Sequence, residues 1–413
     1  MLGVLFFLIV LFLFSIVFYG YFVWNISNQE LLMTNEIYYV RTKDLWEIRL
    51  CRFRNNSEKS IPILFVHGFG SNQNNFLLPL EHSIVNYLKN HNFDCWTMDL
   101  RGCKSSKPPF GKTHKDASLD DILIYDLPAV IDFILKMTGY NNLFWIGHSL
   151  GGMLLYAFLL HHGSHKIAGG ITLGAPIGFV NTKMNIPTPL IQLQRQFPHT
   201  IFLLFRMLIP ILKLLKIGNS VFPVNPSNLN PNMTSWDLCK MVEPPPTKML
   251  NTMTQWLNEK KWVMLNGDLD ILEHLSELHV PLLLFYAPDD PFVNLETAKE
   301  FYNSLETTDK EMLILGTESG CKHNYNHCDL AFGENGEIEV FEPIRLWLEK
   351  HLKYLHHSND KENKLKSNKL ELNRTALTKE ERKTILSGKA YKKVSTKKSN
   401  KNAKIVPNIE ENA

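Results

Sequence analysis

The chain has 413 residues, 45% of them hydrophobic and 21% charged, with a formal net charge of +3. That apolar fraction supports a packed core and excludes a disordered or collagen-like chain, while the length holds one large domain or two ordinary ones. The charge is a sum of opposed parts: residues 356–413 carry 15 Lys/Arg against 7 Asp/Glu, leaving 29 against 34 in the rest. A mildly acidic body gives no reason to expect a nucleic-acid partner. The six cysteines contain no C-x-x-C pair, which argues against a zinc ribbon or a thioredoxin motif and leaves room for one or two bridges in a lumenal body.

In chain order, residues 1–24 come first, an apolar run with no charged side chain before Glu30. About 20 such residues cross a hydrocarbon core of about 30 Å in a helix. Tyr19, Tyr21 and Trp24 gather at its far end, as interfacial aromatics do. The run is long and lacks a basic n-region, so we expect an uncleaved single-pass anchor, with a cleaved signal sequence as the alternative. The basic residues Arg41, Lys43, Arg49, Arg52 and Arg54 favour a cytoplasmic body, whereas acceptor triplets at Asn25, Asn55, Asn232 and Asn373 favour a lumenal one.

A body over 35–355 follows. Residues 37–41 and 46–53 read as an antiparallel pair. Short apolar runs at 61–67, 93–100, 143–147, 167–173, 280–286 and 312–315 read as buried strands, and 80–88, 118–137, 151–161 and 338–352 carry helical spacing. Continuous apolar strands alternating with helices predict an α/β fold, a mostly parallel sheet covered on both faces. The alternation stops over about 177–262, a proline-rich block read as an inserted helical cap or lid. The tail, 356–413, holds no aromatic except Tyr391, so disorder is expected there, with a short helix near 378–386.

Gly147-His148-Ser149-Leu150-Gly151 fits G-x-S-x-G and lies between a predicted strand and a predicted helix, the context this motif requires. The tight turn needs small neighbours and points the serine oxygen out above the sheet, so Ser149 is the candidate nucleophile. A serine hydroxyl needs a histidine base and an orienting acid. At such elbows the chain order is Ser, acid, His. The acid belongs after the strand at 280–286, which gives Asp290, with Asp289 as its neighbouring alternative; no acid occurs between residues 167 and 236. The histidine follows the strand at 312–315, which gives His327, with His323 as the alternative. An oxyanion hole needs two backbone N–H groups, and Phe69 in His67-Gly68-Phe69-Gly70 and Leu150 after the serine supply them.

From about residue 39 to 351 these segments resemble the α/β-hydrolase superfamily, within it the lipase and esterase branch, and acid lipases in particular. The resemblance rests on the residues from Val40 to Ile48, His67-Gly-Phe-Gly, Asp99-Leu-Arg-Gly with Ser106, Gly147-His-Ser-Leu-Gly-Gly, Ala287-Pro-Asp-Asp and Asn326-His-Cys-Asp-Leu-Ala-Phe-Gly. Two positions depart from the family pattern: Lys104 replaces the second glycine of the arginine loop, and the acid strand ends in Ala287 where the family has Gly.

Within the cap, residues 201–217 read as a helix kinked at Pro210, with Arg206, Lys213 and Lys216 near one face. Residues 167–236 hold five basic residues and no acid. A basic amphipathic lid suits a surface that meets lipid; the alternative packs it on the sheet with its charges outward. The expected activity is hydrolysis of lipid-type carboxylic esters through an acyl-enzyme on Ser149, His327 and Asp290, with no cofactor or metal. Acyl transfer by the same residues and a non-catalytic membrane-tethered binding protein are the alternatives.

Overall fold

The computed structural model describes residues 2–356, apart from 30, 32, 33, 35, 56–59, 180–188, 190, 191, 194, 195 and 219–222. The tail, with the disorder and the short helix near 378–386 expected of it, falls outside the described residues. Helix α1 (Leu2–Ser27) begins the chain. By length and composition it is able to cross a membrane.

An eight-stranded sheet forms the centre. Strands β1 (Ile37–Arg41) and β2 (Glu47–Phe53) are the antiparallel pair, and β2 also runs antiparallel to β4. Strands β3 (Ile61–Val66), β4 (Phe93–Met98), β5 (Leu143–His148) and β6 (Ile167–Leu173) run parallel to their partners among them. A two-residue ribbon, β7 (Val263–Met264) with β8 (Leu269–Asp270), stands apart. Strands β9 (Leu282–Tyr286) and β10 (Lys310–Ile314) complete the sheet in the order β1-β2-β4-β3-β5-β6-β9-β10. The order leads outward from β3 in both directions, so the turns after β3 and β5 open side by side at the C-terminal edge, where sheets of this kind place their sites.

Successive residues of a strand point to opposite faces, and each face is covered. Leu64 and Val66 pack on one side with α3 (Leu127–Thr138) and α4 (Leu150–His162). Ile63 and Phe65 pack on the other with α2 (Ile84–Asn90) and α9 (Glu342–Lys350). The run expected as one helix at 80–88 is broken at Ser83, whose hydroxyl accepts from the Asn86 N–H and caps α2. The stretch 118–137 opens with a helical turn at Leu119–Asp121 capped by Ser118, and a π-helical turn at Ile122–Asp126 follows before α3 begins. All six cysteines are free thiols, so the described body carries no bridge.

The cap block contains α5 (Pro198–Leu214), α6 (Ser235–Met241) and α7 (Thr247–Glu259), and α8 (Leu295–Ser304) follows β9. Helix α5 ends three residues before the predicted boundary of 217. Lys216 turns to φ 54° and the Ile217 N–H folds back onto the Leu212 carbonyl, closing the helix. Pro210 lies inside α5.

Candidate active site

Strand β5 enters α4 through Ser149, which holds φ 53° and ψ −119°. A non-glycine residue at positive φ needs its surroundings to hold it there. The Ser149 N–H donates to the Leu173 carbonyl, while its own carbonyl accepts from Gly152 and Met153 at the start of α4. The turn is tight enough that a Cβ on Gly151 would lie 1.9 Å from the Val66 carbonyl oxygen, so only glycine fits. Leu150 opens α4, where the first N–H groups have no carbonyl of their own helix to bond.

The other two residues come from loops after β9 and β10. The chain turns after Ala287, and Asp290 is buried with its two oxygens assigned: Oδ1 accepts from the Phe292 N–H at 2.8 Å and Oδ2 accepts from His327 Nδ1–H at 2.7 Å. Because a carboxylate only accepts, this bond puts the His327 proton on Nδ1 and leaves Nε2 as the basic nitrogen. Asp289 instead gives its backbone N–H to the Tyr325 carbonyl. His323 faces Glu334 at 3.5 Å, away from Asp290. Of the paired alternatives, the structure therefore brings together Asp290 and His327.

Two neighbours bring that pair to the serine turn. Gly174 directly follows the Leu173 that holds Ser149, and at φ 58° a Cβ there would lie 3.1 Å from both Asp290 Oδ2 and His327 Nδ1. His148 lies against His327, ring to ring at 4.9 Å, with its Nε2 3.0 Å from the His327 carbonyl oxygen. Burial, and then the nearby His327, push the His148 ring down to about 3, so it stays neutral and donates from Nε2.

On the opposite side, the loop after β3 lies close to the serine: a Cβ on Gly68 would be 2.9 Å from the Ser149 Cβ. Phe69 and Leu150 line one cleft together with Gly102, Cys103, Glu243 and Pro246. His67 braces the loop. Its Nδ1–H donates to the Gly68 carbonyl and its Nε2 accepts from the Leu100 N–H at 3.1 Å. His67, Asp99 and Cys103 form the one group of metal-ligating type among the described residues. Both ring nitrogens of His67 are already bonded, and burial lowers its pKa, so the group reads as a structural brace. Arg101, fully buried, pairs with Asp126 and Asp44 and anchors the neighbouring loop.

The bonds that tie the cap to this site leave no signal in the sequence. Glu243 donates its N–H to the Gly70 carbonyl, and its carboxylate accepts from Asn72 at 2.9 Å and from the Lys104 N–H at 2.8 Å. Lys104, where the family has glycine, thus meets the cap through its backbone. On the histidine side, buried Asp329 accepts from the Asn225 N–H and the Asn228 amide of the cap, and from the Asn326 N–H beside His327. The partners from the cap lie a hundred residues or more from theirs in the chain, and Asn, Asp and Glu carry no local pattern that announces such partners.

Residues 58–323 match the family described as "Serine aminopeptidase, S33", a span that includes Ser149 and Asp290 and stops short of His327. The chain is 32% identical over 123 residues to "Lipase 1" of Drosophila melanogaster, covering 28% of each chain. It is 24% identical over 372 residues to "Lipase member K" of Homo sapiens, covering 77% of this chain and 88% of that one. The first curated relatives are thus matched over about a third of their length or less. Among solved structures, the fold resembles a bromoperoxidase from Bacillus anthracis with TM-score 0.50 and 15% identity, covering 76% of this chain and all of that one.

Proposed function

Since the chain belongs to the serine aminopeptidase S33 family of α/β-hydrolases, we propose that it is a membrane-anchored serine hydrolase cleaving lipid-type carboxylic esters. The observation that carries the reading is the Asp290–His327 hydrogen bond set against the strained Ser149 turn. In this mechanism Ser149 Oγ attacks the acyl carbonyl as His327 Nε2 takes its proton. Asp290 holds the tautomer and stabilises the imidazolium. The N–H groups of Phe69 and Leu150 bond the oxyanion, and the tetrahedral intermediate collapses to an acyl-serine as His327 returns the proton to the leaving alcohol. Water, deprotonated by His327, then releases the acid and frees Ser149.

The preference for lipid esters draws support from the relatives named as lipases and from α1, read here as an uncleaved anchor. The test is a panel of p-nitrophenyl esters and acylglycerols of increasing chain length, with the Ser149→Ala protein as blank. Turnover should rise with acyl length and vanish in the variant. Turnover confined to short soluble esters would overturn the lipid assignment, and turnover retained by the variant would overturn the mechanism.

A further inference from the structure

Helix α1 is free at one end and built into the body at the other. Side chains from Phe6 to Phe18 are exposed, and packing begins at Tyr19. The Tyr19 hydroxyl donates to the Met207 carbonyl of α5 at 3.0 Å, and Gly20 rests against the Met207 side chain. Phe22 meets Trp236 of α6 edge-on at 5.4 Å, and Val23 is fully buried with Ile209 and Leu238. At 1.5 Å per residue, the helical stretch 2–18 rises about 25 Å, close to the roughly 30 Å thickness of a hydrocarbon core. No linker separates it from the cap, so a bilayer entered by α1 ends where α5 begins.

The face that α5 turns outward is the wrong one for water. Leu204, Leu208, Ile211 and Leu215 are all about half exposed or more, and Leu214 is 81% exposed. Their spacing of three to four residues puts them on one stripe. The charged residue opposite them, Arg206, is buried and donates its guanidinium to the Val242 carbonyl. The expected alternative, with charges outward, is thereby reversed for Arg206. The stripe flanks Met207, the residue on which α1 rests, so the two apolar surfaces are continuous. Lys216 is exposed at its end, with a stem long enough to keep the ammonium at headgroup depth.

We propose that the outward face of α5 is seated in the phospholipid leaflet that α1 crosses, so that α1 and the cap hold the body against the membrane as one unit. The occupant of the stripe is the acyl-chain layer just below the headgroups. The proposal rests on the reading of α1 as an uncleaved anchor, and its test separates the two.

The full chain carrying Ser149→Ala, so that no turnover enters the readout, is placed in phosphatidylcholine nanodiscs doped with a phosphatidylcholine bearing a diazirine in its acyl chain. Photolysis and peptide mapping should find lipid adducts both on the peptide covering 2–18 and on that covering 204–215. Adding Leu208→Glu and Ile211→Glu, both at exposed positions, should lower the second set severalfold without changing the melting temperature. Adducts on 2–18 alone would overturn the proposal and leave the anchor standing. Adducts on neither peptide would overturn both. A stripe shielded from lipid in a particle shown by mass photometry to hold two copies would assign it to a second chain and also overturn the proposal.

Discussion

Ser149 is held at φ 53° by bonds on either side of it, and such conformations cost on the order of 1–3 kcal/mol where they persist. The surroundings here absorb that cost: Leu173 takes the serine N–H, and α4 starts from its carbonyl. His148, one residue earlier, has the opposite problem, since it is a base in a site that refuses its charge. Its folded pKa is depressed to about 3 by burial and then by His327, whereas an unfolded histidine titrates near 6.5. Below about pH 6.5 the unfolded chain therefore binds a proton that the folded chain does not. The stability His148 contributes is present above that pH and is lost as pH falls towards 3. His148→Gln retains an N–H donor without the titration, so its melting temperature should fall less steeply than the wild type's between pH 6.5 and 4 in a thermal denaturation series. Parallel slopes would refute the assignment. That Ser149, Asp290 and His327 each follow a strand of the sheet was legible in the sequence, because β5, β9 and β10 are marked by apolar runs. Gly174 and His148 were not legible as supports, because their place against the pair appears only when β5, β6 and β9 lie side by side.

At the scale of elements, the cap works through a few bonds that reach across the chain. Arg206 of α5 holds the Val242 carbonyl, Val242 pairs with Ser71, and Glu243 clasps Gly70, Asn72 and Lys104. The loop carrying Phe69 is therefore set as much by the cap as by β3. Glu243→Ala removes two acceptors from charge-assisted bonds, each worth about 1.5–3 kcal/mol in general. Because water replaces part of that, we expect kcat/KM on a preferred ester to fall roughly tenfold, about 1.4 kcal/mol, with fluorophosphonate labelling slowed but still confined to Ser149. Full activity in this variant would show that the loop stands without the cap. The sheet strands were readable because burial on both faces makes them continuous apolar runs. The inward turn of Arg206 was not, since the hydrophobic period of α5 gives its apolar side but not which side faces the body. That depended on α1 and on the Val242 carbonyl, far away in sequence.

Across the whole molecule, the near-zero charge conceals an apolar helix, an acidic body and a basic tail. The described parts join helix and body closely: α1 shares a buried cluster with the cap, and the cap shares bonds with both loops of the site. The strained turn at Ser149, the Asp290–His327 pair brought to it and the cap tied to the loop carrying Phe69 support the proposal that the chemistry passes through Ser149. The direct test is to treat the full-length protein with a fluorophosphonate and map the adduct by mass spectrometry. A single phosphonylated peptide containing Ser149 is expected, absent in Ser149→Ala and strongly reduced in His327→Ala. An adduct on another residue, or one that survives Ser149→Ala, would contradict it.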